Sequence, residues 1–509
     1  MPSLPKGKMI NFLNPSDYTK YRLLEMIPGF FVWATFISAI ALSFIKPIWV
    51  IYFIIIYDLI FLARVIYLQV YLVISFKRFK KAETINWLEL VQKNPRWEDI
   101  YHLIMLPTYQ EGMEVLRTTF ESLCRSNYPK QKFIVVFATE EKDKERAREN
   151  AAIIQREYGN KFFKLLVTEH PSGVPGELPG KGANTAYAGR KAKEFIDDLK
   201  LPYENVIVSS FDIDTCVHRE YFGYLTNAYL NHPDPTHTSF QPVPLFNNNI
   251  WDSPALMRVV ANGTTFWLMT EQLRPERLFT FSSHSMSFKA LVDVDFWQND
   301  IVTEDSRIFL QCFLEYDGNY KVTPMYIPVS MDTVLGGSLW ESLKNQYKQQ
   351  RRWAWGVEHL PYMIWFFRKN KKIPWSKKFR YIWNLGEGMY SWAVAPILIF
   401  LLGRLPLFVA SFKQETSAVA QNAPYVLQML MIAAMVGLIL MAAFSTFLLP
   451  KRPRQVKKTK IIEMVLQWVL FPFTMVAFGS IPAIDAQTRL MLGKYLGFQV
   501  TKKVRKVGN

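Results

Sequence analysis

Five long apolar runs, gathered at the two ends of the chain, constrain this sequence more than any other feature. Residues 26–45, 423–449 and 464–484 carry no charge. Residues 47–76 are interrupted by Asp58 and Arg64, and residues 388–412 only by Arg404. About 20 apolar residues suffice to cross a bilayer. Buried helices of a large soluble protein would not segregate to the termini in this way. A cleaved leader is not expected either, because a second apolar run follows the first at once. The sequence therefore predicts an integral protein of the plasma or inner membrane, with transmembrane helices on both sides of a soluble middle.

Charge sets the orientation. The chain holds 60 Lys+Arg against 43 Asp+Glu, a net +17. Lys6, Lys8, Lys20 and Arg22 precede the first run; Lys77, Arg78, Lys80 and Lys81 follow the second. Basic flanks stay in the cytoplasm, which puts residues 80–380 there. The loop 450–460 carries six more basic residues. Membrane lipid, not nucleic acid, thus accounts for the basic excess, since the charges cluster beside the spans. One conflict remains. Three spans after the middle would leave the C-terminus outside, yet Arg489, Lys494, Lys502, Lys503, Arg505 and Lys506 argue for the cytoplasm. The sequence therefore predicts either a re-entrant run or a break of 385–412 at Arg404–Pro406 into two passes. Cys124, Cys216 and Cys312 lie far apart, without metal-ligand spacing, and read as reduced thiols.

The middle alternates short apolar runs with helical segments. Residues 102–107, 133–138, 164–170 and 204–212 read as strands. Helices follow the first two, and another over roughly 183–199 separates the third from the fourth. That alternation predicts an α/β fold with a wound, mostly parallel sheet. The chain divides into a segment 1–25, two transmembrane helices in 26–76, and a soluble domain 97–335. An interfacial amphipathic region 336–380, a C-terminal transmembrane region 381–484 of three or four passes, and a cytoplasmic tail 485–509 follow.

Ligands of such sheets bind beyond the carboxyl ends of the strands. Those ends carry Glu111, then Glu140 and Glu141, then Asp212 and Asp214. No glycine-rich phosphate loop is present, which disfavours dinucleotide enzymes and nucleotide triphosphatases. Two carboxylates at i and i+2 past a strand can share a hard divalent cation together with substrate phosphate oxygens. Thr303-Glu304-Asp305 reads as a helix start with Thr303 as its cap, which would fix the Asp305 carboxylate as a general base needs. On a helix bearing Trp340, Leu343 and Tyr347, Gln349-x-x-Arg352-Trp353 offers a phosphate contact and a stacking face. Lys181 and Asn184, before a helix, could reach a phosphate or a ribose. Asp58, inside an apolar run, is costly there and reads as a packing or conduit residue.

In this order, Pro107…Glu111, Asp212-x-Asp214, Thr303-Glu304-Asp305 and Gln349-x-x-Arg352-Trp353 resemble the processive family-2 glycosyltransferases, the membrane synthases of cellulose, chitin and hyaluronan. The resemblance covers about residues 97–356. It implies a GT-A-type sheet inserted between two groups of transmembrane helices. It also implies inverting transfer from a UDP-sugar to a glycan, processive and coupled to export. In that family the Asp-x-Asp pair binds UDP and its metal, so Asp212 and Asp214 would hold Mg²⁺ or Mn²⁺. Asp305 would be the base; Gln349, Arg352 and Trp353 would bind the diphosphate and the acceptor sugar; Glu140 or Asp212 would hold the nucleoside. The tail Phe498-x-Val500-Thr501-x-Lys503 resembles the gating loop of bacterial cellulose synthases, in which Thr501 and Lys503 would close over the nucleotide. There are departures. The second strand ends in Glu140-Glu141 where the family has Asp, and Phe281-Ser-Ser-His-Ser285 replaces another small-residue acceptor motif. Transfer to a lipid acceptor is the alternative within the class; a transporter or scaffold with an inactive domain is the alternative outside it.

Overall fold

In the computed structural model, residues 15–497 are described. One eight-stranded sheet occupies the middle of the chain. Its strands are β1 Tyr101–Pro107, β2 Phe133–Glu140, β3 Lys164–His170, β4 Val206–Ser210, β5 Cys216–Val217, β6 Thr238–Phe246, β7 Ser285–Ser287 and β8 Lys321–Met331, in the order β3-β2-β1-β4-β7-β6-β8-β5. β1 pairs in parallel with β2 and β4, β2 with β3, and β6 with β8. The short β5 and β7 pair antiparallel. The expected wound, mostly parallel sheet is present.

The strands are continuous apolar runs because both sheet faces are covered. All eight residues of β2 and all five of β4 are buried. Side chains alternate between faces with period two. Leu103 and Met105 pack with Ala186, Ala192, Ile308 and Phe309 of the Lys181–Asp198 and Glu304–Glu315 helices. Ile104 and Leu106 pack on the other face with Leu116, Phe120 and Phe222. Chain order reverses between β1 and β4, and this opens a crevice at their carboxyl ends.

Apolar helices flank the sheet on both sides of the sequence. Among the described residues, four are long and apolar enough to cross a membrane: Asp17–Ile45, Pro47–Glu83, Ala418–Phe447 and Thr459–Met491. Trp375–Phe400 and Leu402–Phe412 form a further candidate, bent by 43°. The Leu405–Phe412 helix has eight residues, about 12 Å of rise, too short for a separate pass.

Thr459–Met491 is bonded to the sheet domain through side chains. Arg258, buried in the Ala255–Glu271 helix, donates to Gln467 Oε1 at 2.7 Å and to Glu463 Oε1 at 2.6 Å. Trp468 stacks on Phe266, and Phe478 packs with Met257 and Val334. Asp485 accepts from Tyr347 at 3.0 Å and Arg351 at 2.9 Å. Arg22, at the start of the first long helix, donates to the carbonyl of Leu490 at 3.0 Å. The first half of the run lies against the sheet domain, and its second half packs on the helix Leu339–Ala354 and on Val32, Phe36, Ala393 and Leu398 of two candidate spans, while Ile462, Leu466, Val469 and Phe473 stay exposed.

Candidate active site

A cavity of about 930 Å³ opens at the carboxyl ends of β1 and β4. It is lined by Glu111, Glu140, Lys181, Asp212, Asp214, Asp305, Gln349, Arg352 and Trp353. Thus one cavity gathers all the strand-end and motif candidates except Glu141 that fall within the described residues. Thr501 and Lys503 lie outside them. The cavity continues between the helices, past Asp58 and Arg64 to Phe400 and Leu430.

Each side chain is aimed by its element. Asp212 lies two residues past β4, in a turn closed by the Thr215 amide bonding to the Asp212 carbonyl at 2.9 Å. Asp214 is fully buried, and its Oδ2 accepts from the backbone amide of Asp332 at 2.8 Å. Asp332 follows β8 and also lines the cavity. The sequence signal for it existed: it is another carboxylate just past an apolar strand.

Asp305 sits in the first turn of the Glu304–Glu315 helix. Thr303 precedes that helix as expected but does not cap it through its side chain. Its hydroxyl instead donates to Glu358, which also accepts from the Trp355 indole at 2.9 Å. Ser306 bonds His359 at 2.7 Å. These contacts tie the start of the Asp305 helix to the segment just after Gln349-x-x-Arg352-Trp353.

Lys181 takes a position that sequence spacing did not anticipate. Its ammonium lies 2.7 Å from Asp212, 2.8 Å from Asp305 and 3.8 Å from Glu304. Burial works against its charge, but the attraction of Asp212, Asp305 and Glu304 outweighs it, so its pKa is raised. Glu304 is pushed up to about 8, by burial first and then by Asp305, with Lys181 and Arg352 opposing. Gly182 makes this approach possible. A Cβ there would meet the Gln298 carbonyl at 3.1 Å and the Glu304 side chain at 3.2 Å.

At the end of β2, Glu140 faces the cavity, whereas Glu141 turns away and accepts from the Ser172 amide at 2.7 Å. Glu140 also bonds His170 Nδ1 at 3.1 Å, and His170 Nε2 meets Glu177 at 2.9 Å. Glu111 braces its own loop, accepting from Thr108 at 2.8 Å and the Tyr109 amide at 2.6 Å. That loop holds Gln110 at φ 67°, a left-handed conformation uncommon outside glycine. Trp353 packs on Phe246 at 5.9 Å between ring centres.

The donor set suits a hard divalent cation. Asp212 and Asp214 would supply oxygen ligands, and among the described residues no group of three or more His, Cys, Asp or Glu could hold a metal by itself. A cation here would complete its shell with substrate oxygens and water, as Mg²⁺ habitually does.

The sequence matches the family model for Glycosyl transferase family group 2 over residues 207–479, more than half of the chain. No curated protein matches it. Among solved structures, the mannosyltransferase PcManGT from Pyrobaculum calidifontis, in complex with GDP-Man and Mn²⁺, is 15% identical. That alignment covers 80% of this chain and 99% of the other, with a TM-score of 0.42. S. aureus TarS 1-349, in complex with UDP-GlcNAc, is 13% identical over 78% of this chain and 93% of the other, with a TM-score of 0.35.

Proposed function

The chain belongs to glycosyl transferase family group 2, and from this we propose that it moves a sugar from a UDP-sugar to an acceptor hydroxyl by single displacement with inversion. The observation that supports this most is the shared cavity. It joins the strand-end carboxylates Asp212 and Asp214, the helix-start carboxylate Asp305, and Arg352 with Trp353.

Asp305 takes the proton from the acceptor hydroxyl as its oxygen attacks the anomeric carbon. The bond from that carbon to the diphosphate breaks, and UDP leaves with the electron pair. UDP needs no proton to depart, so one carboxylate suffices, whereas a glycoside hydrolase needs two. Arg352 meets the charge growing on the diphosphate. Asp212 and Asp214 would hold Mg²⁺ or Mn²⁺, which when bound neutralises diphosphate charge. Glu140 or Asp212 holds the nucleoside, and Trp353 stacks the acceptor sugar.

The membrane reading follows from the helices. The first two long helices, the bent Trp375–Phe412 segment and Ala418–Phe447 make four crossings. We place Thr459–Met491 on the cytoplasmic face, because Arg258 and Arg351 of the proposed cytoplasmic domain bond it near its two ends, at Glu463 and Asp485. An even number of crossings returns the basic tail to the cytoplasm and resolves the charge conflict in the sequence.

The acceptor is a growing glycan that passes outward between the helices; the cavity extending from Asp305 to Phe400 supports this. A lipid acceptor is the second reading, favoured by the apolar wall of Leu430, Met431, Ala434 and Met435. The test is a panel of UDP-sugars given to the purified protein with Mg²⁺ or Mn²⁺, followed by sizing of the product. A polymer supports the first acceptor, and solvent-extractable mono- or disaccharide the second. Folded protein that releases UDP from no donor contradicts the enzyme reading.

A further inference from the structure

β2 and β3 run in parallel and end level, with Glu140 opposite His170. Both residues are buried. His170 Nδ1 lies 3.1 Å from Glu140 Oε2, and His170 Nε2 lies 2.9 Å from Glu177 Oε2. A neutral imidazole has one N–H and can donate to only one of these carboxylates. The imidazolium has two and satisfies both. The clamp is therefore complete only when His170 carries its second proton.

The clamp reaches the site on one side through Glu140. Its Oε2 is held by His170, while its Oε1 takes no hydrogen bond among the described residues. Asn184 lines the same cavity and donates to the carbonyl of Ala138 at 3.0 Å. Its Oδ1 is buried and unmatched among the described residues. Two spare acceptors suit a ligand rich in donors, such as the hydroxyls of a ribose or the N–H of a base. Asp212, the other candidate for that duty, is engaged by Lys181 at 2.7 Å.

On its other side the clamp holds the loop 171–180. Glu177 Oε1 accepts from Asn299 Nδ2 at 2.8 Å, and the Leu178 amide donates to the Asn299 carbonyl at 2.9 Å. Leu178 packs with Val302, the residue before Thr303. Pro179 and Gly180 line the cavity, and Lys181 follows them. One imidazole thus joins Glu140 to the loop that carries Lys181 and to the start of the Asp305 helix.

The groups around the ring favour its charge. Glu140 faces it from β2 and Glu177 from the loop, while the Lys181–Asp198 helix contributes only the Tyr187 ring, edge-on at 5.4 Å. The neighbouring carboxylates are turned elsewhere, Glu141 to Ser172 and Glu169 to Arg148. Burial opposes protonation, but Glu140 and Glu177 outweigh it and hold the His170 pKa above its ordinary 6.5.

We infer that His170 is a positioning residue for the sugar-nucleotide donor, which as an imidazolium holds Glu140 in place for the nucleoside and anchors residues 171–180 beside Lys181. The inference rests on the proposed transfer from a UDP-sugar. Donor affinity then falls as pH rises through the His170 pKa, because the neutral ring must release one of its carboxylates.

The test is equilibrium binding of UDP-glucose, UDP-galactose and UDP-N-acetylglucosamine, with Mg²⁺, to the purified full-length protein at pH 6 and pH 8.5. Glu304, with its pKa of about 8, also titrates in this interval. The quantity compared is therefore the ratio of the two dissociation constants, in wild type and in each variant. In Glu177→Gln the new amide donates to Nε2 of a neutral ring, whose Nδ1–H still serves Glu140, while the amide oxygen accepts from Asn299. That clamp needs no second proton. A charge-assisted hydrogen bond is worth about tenfold or more in an equilibrium constant. The wild-type ratio should thus exceed the Glu177→Gln ratio about tenfold. His170→Gln donates to one carboxylate only and should bind the donor about tenfold more weakly than wild type at pH 6. Equal ratios in wild type and Glu177→Gln overturn the inference, as does a His170→Gln protein that binds like wild type at pH 6. Should His170→Gln fail to fold, the Glu177→Gln comparison decides. Folded wild-type protein that binds none of the three nucleotides at either pH contradicts the UDP-sugar reading itself, and the inference falls with it.

Discussion

Lys181 is the residue on which the charge balance of the site turns. Three carboxylates lie within 4 Å of its ammonium, and its side chain is only 10% exposed. Breaking a buried ion pair by removing one partner costs about 3–5 kcal/mol, because the other charge is left uncompensated. Lys181→Met should therefore lower the thermal unfolding midpoint by several degrees. Adding Asp305→Asn, which removes one of the stranded charges, should restore part of it; calorimetry of the two variants checks this. The carboxylates themselves were readable in the sequence, because a strand end or a helix start fixes where Asp212, Asp214 and Asp305 point. The place of Lys181 was not. It depends on how closely two helices approach across Gly182, and that distance is set by packing, not by spacing in the chain. Glu304 was read only as a neighbour of the base; its burial under the Lys181–Asp198 helix gives it a raised pKa that no local pattern signals.

At the scale of elements, β2 and β3 end in a clamp of Glu140, His170 and Glu177. Burial opposes the His170 charge, but Glu140 and Glu177 outweigh it and hold its pKa above the ordinary 6.5. A raised histidine pKa stabilises the fold fully below the ordinary value and loses that contribution as pH rises through the folded-state value. Hydrogen exchange in residues 171–180 should thus be better protected at pH 6 than at pH 8, after correction for intrinsic rates, and His170→Gln should flatten the difference. Pro242 and Pro244 in β6 and Pro324 and Pro328 in β8 break the strand pattern and hid both, whereas β1 to β4 were legible because two-sided burial demands unbroken apolar runs, as in β2. β5 and β7 were not, since two or three residues carry no periodicity. The run 464–484 shows the limit of hydropathy. An apolar helix lying along a protein face reads the same as one that crosses; the contacts of Arg258 and Asp485 support the proposed placement along the face. Cysteine labelling checks the difference. In sealed vesicles, Lys457→Cys and Lys494→Cys should react from the same side as each other, and Glu415→Cys from the opposite side. Labelling of Lys457→Cys and Lys494→Cys from opposite faces would make the run a crossing.

On the scale of the whole molecule, the sheet and the helices act as one device through their common cavity. Composition and run length made the architecture legible, and motif order suggested the chemistry. The continuity from Asp305 past Arg64 to Leu430 was not readable, because it needs helices far apart in the chain to line one cavity. The central claim is that Asp305 is the base of a sugar transfer within that cavity. The most direct test compares wild type with Asp305→Asn in UDP release from the preferred UDP-sugar with its acceptor, alongside the affinity of both proteins for UDP. A general base contributes about 10²–10⁴-fold. The account predicts a loss of turnover of that size with UDP affinity unchanged. An Asp305→Asn protein that releases UDP at the wild-type rate would contradict it.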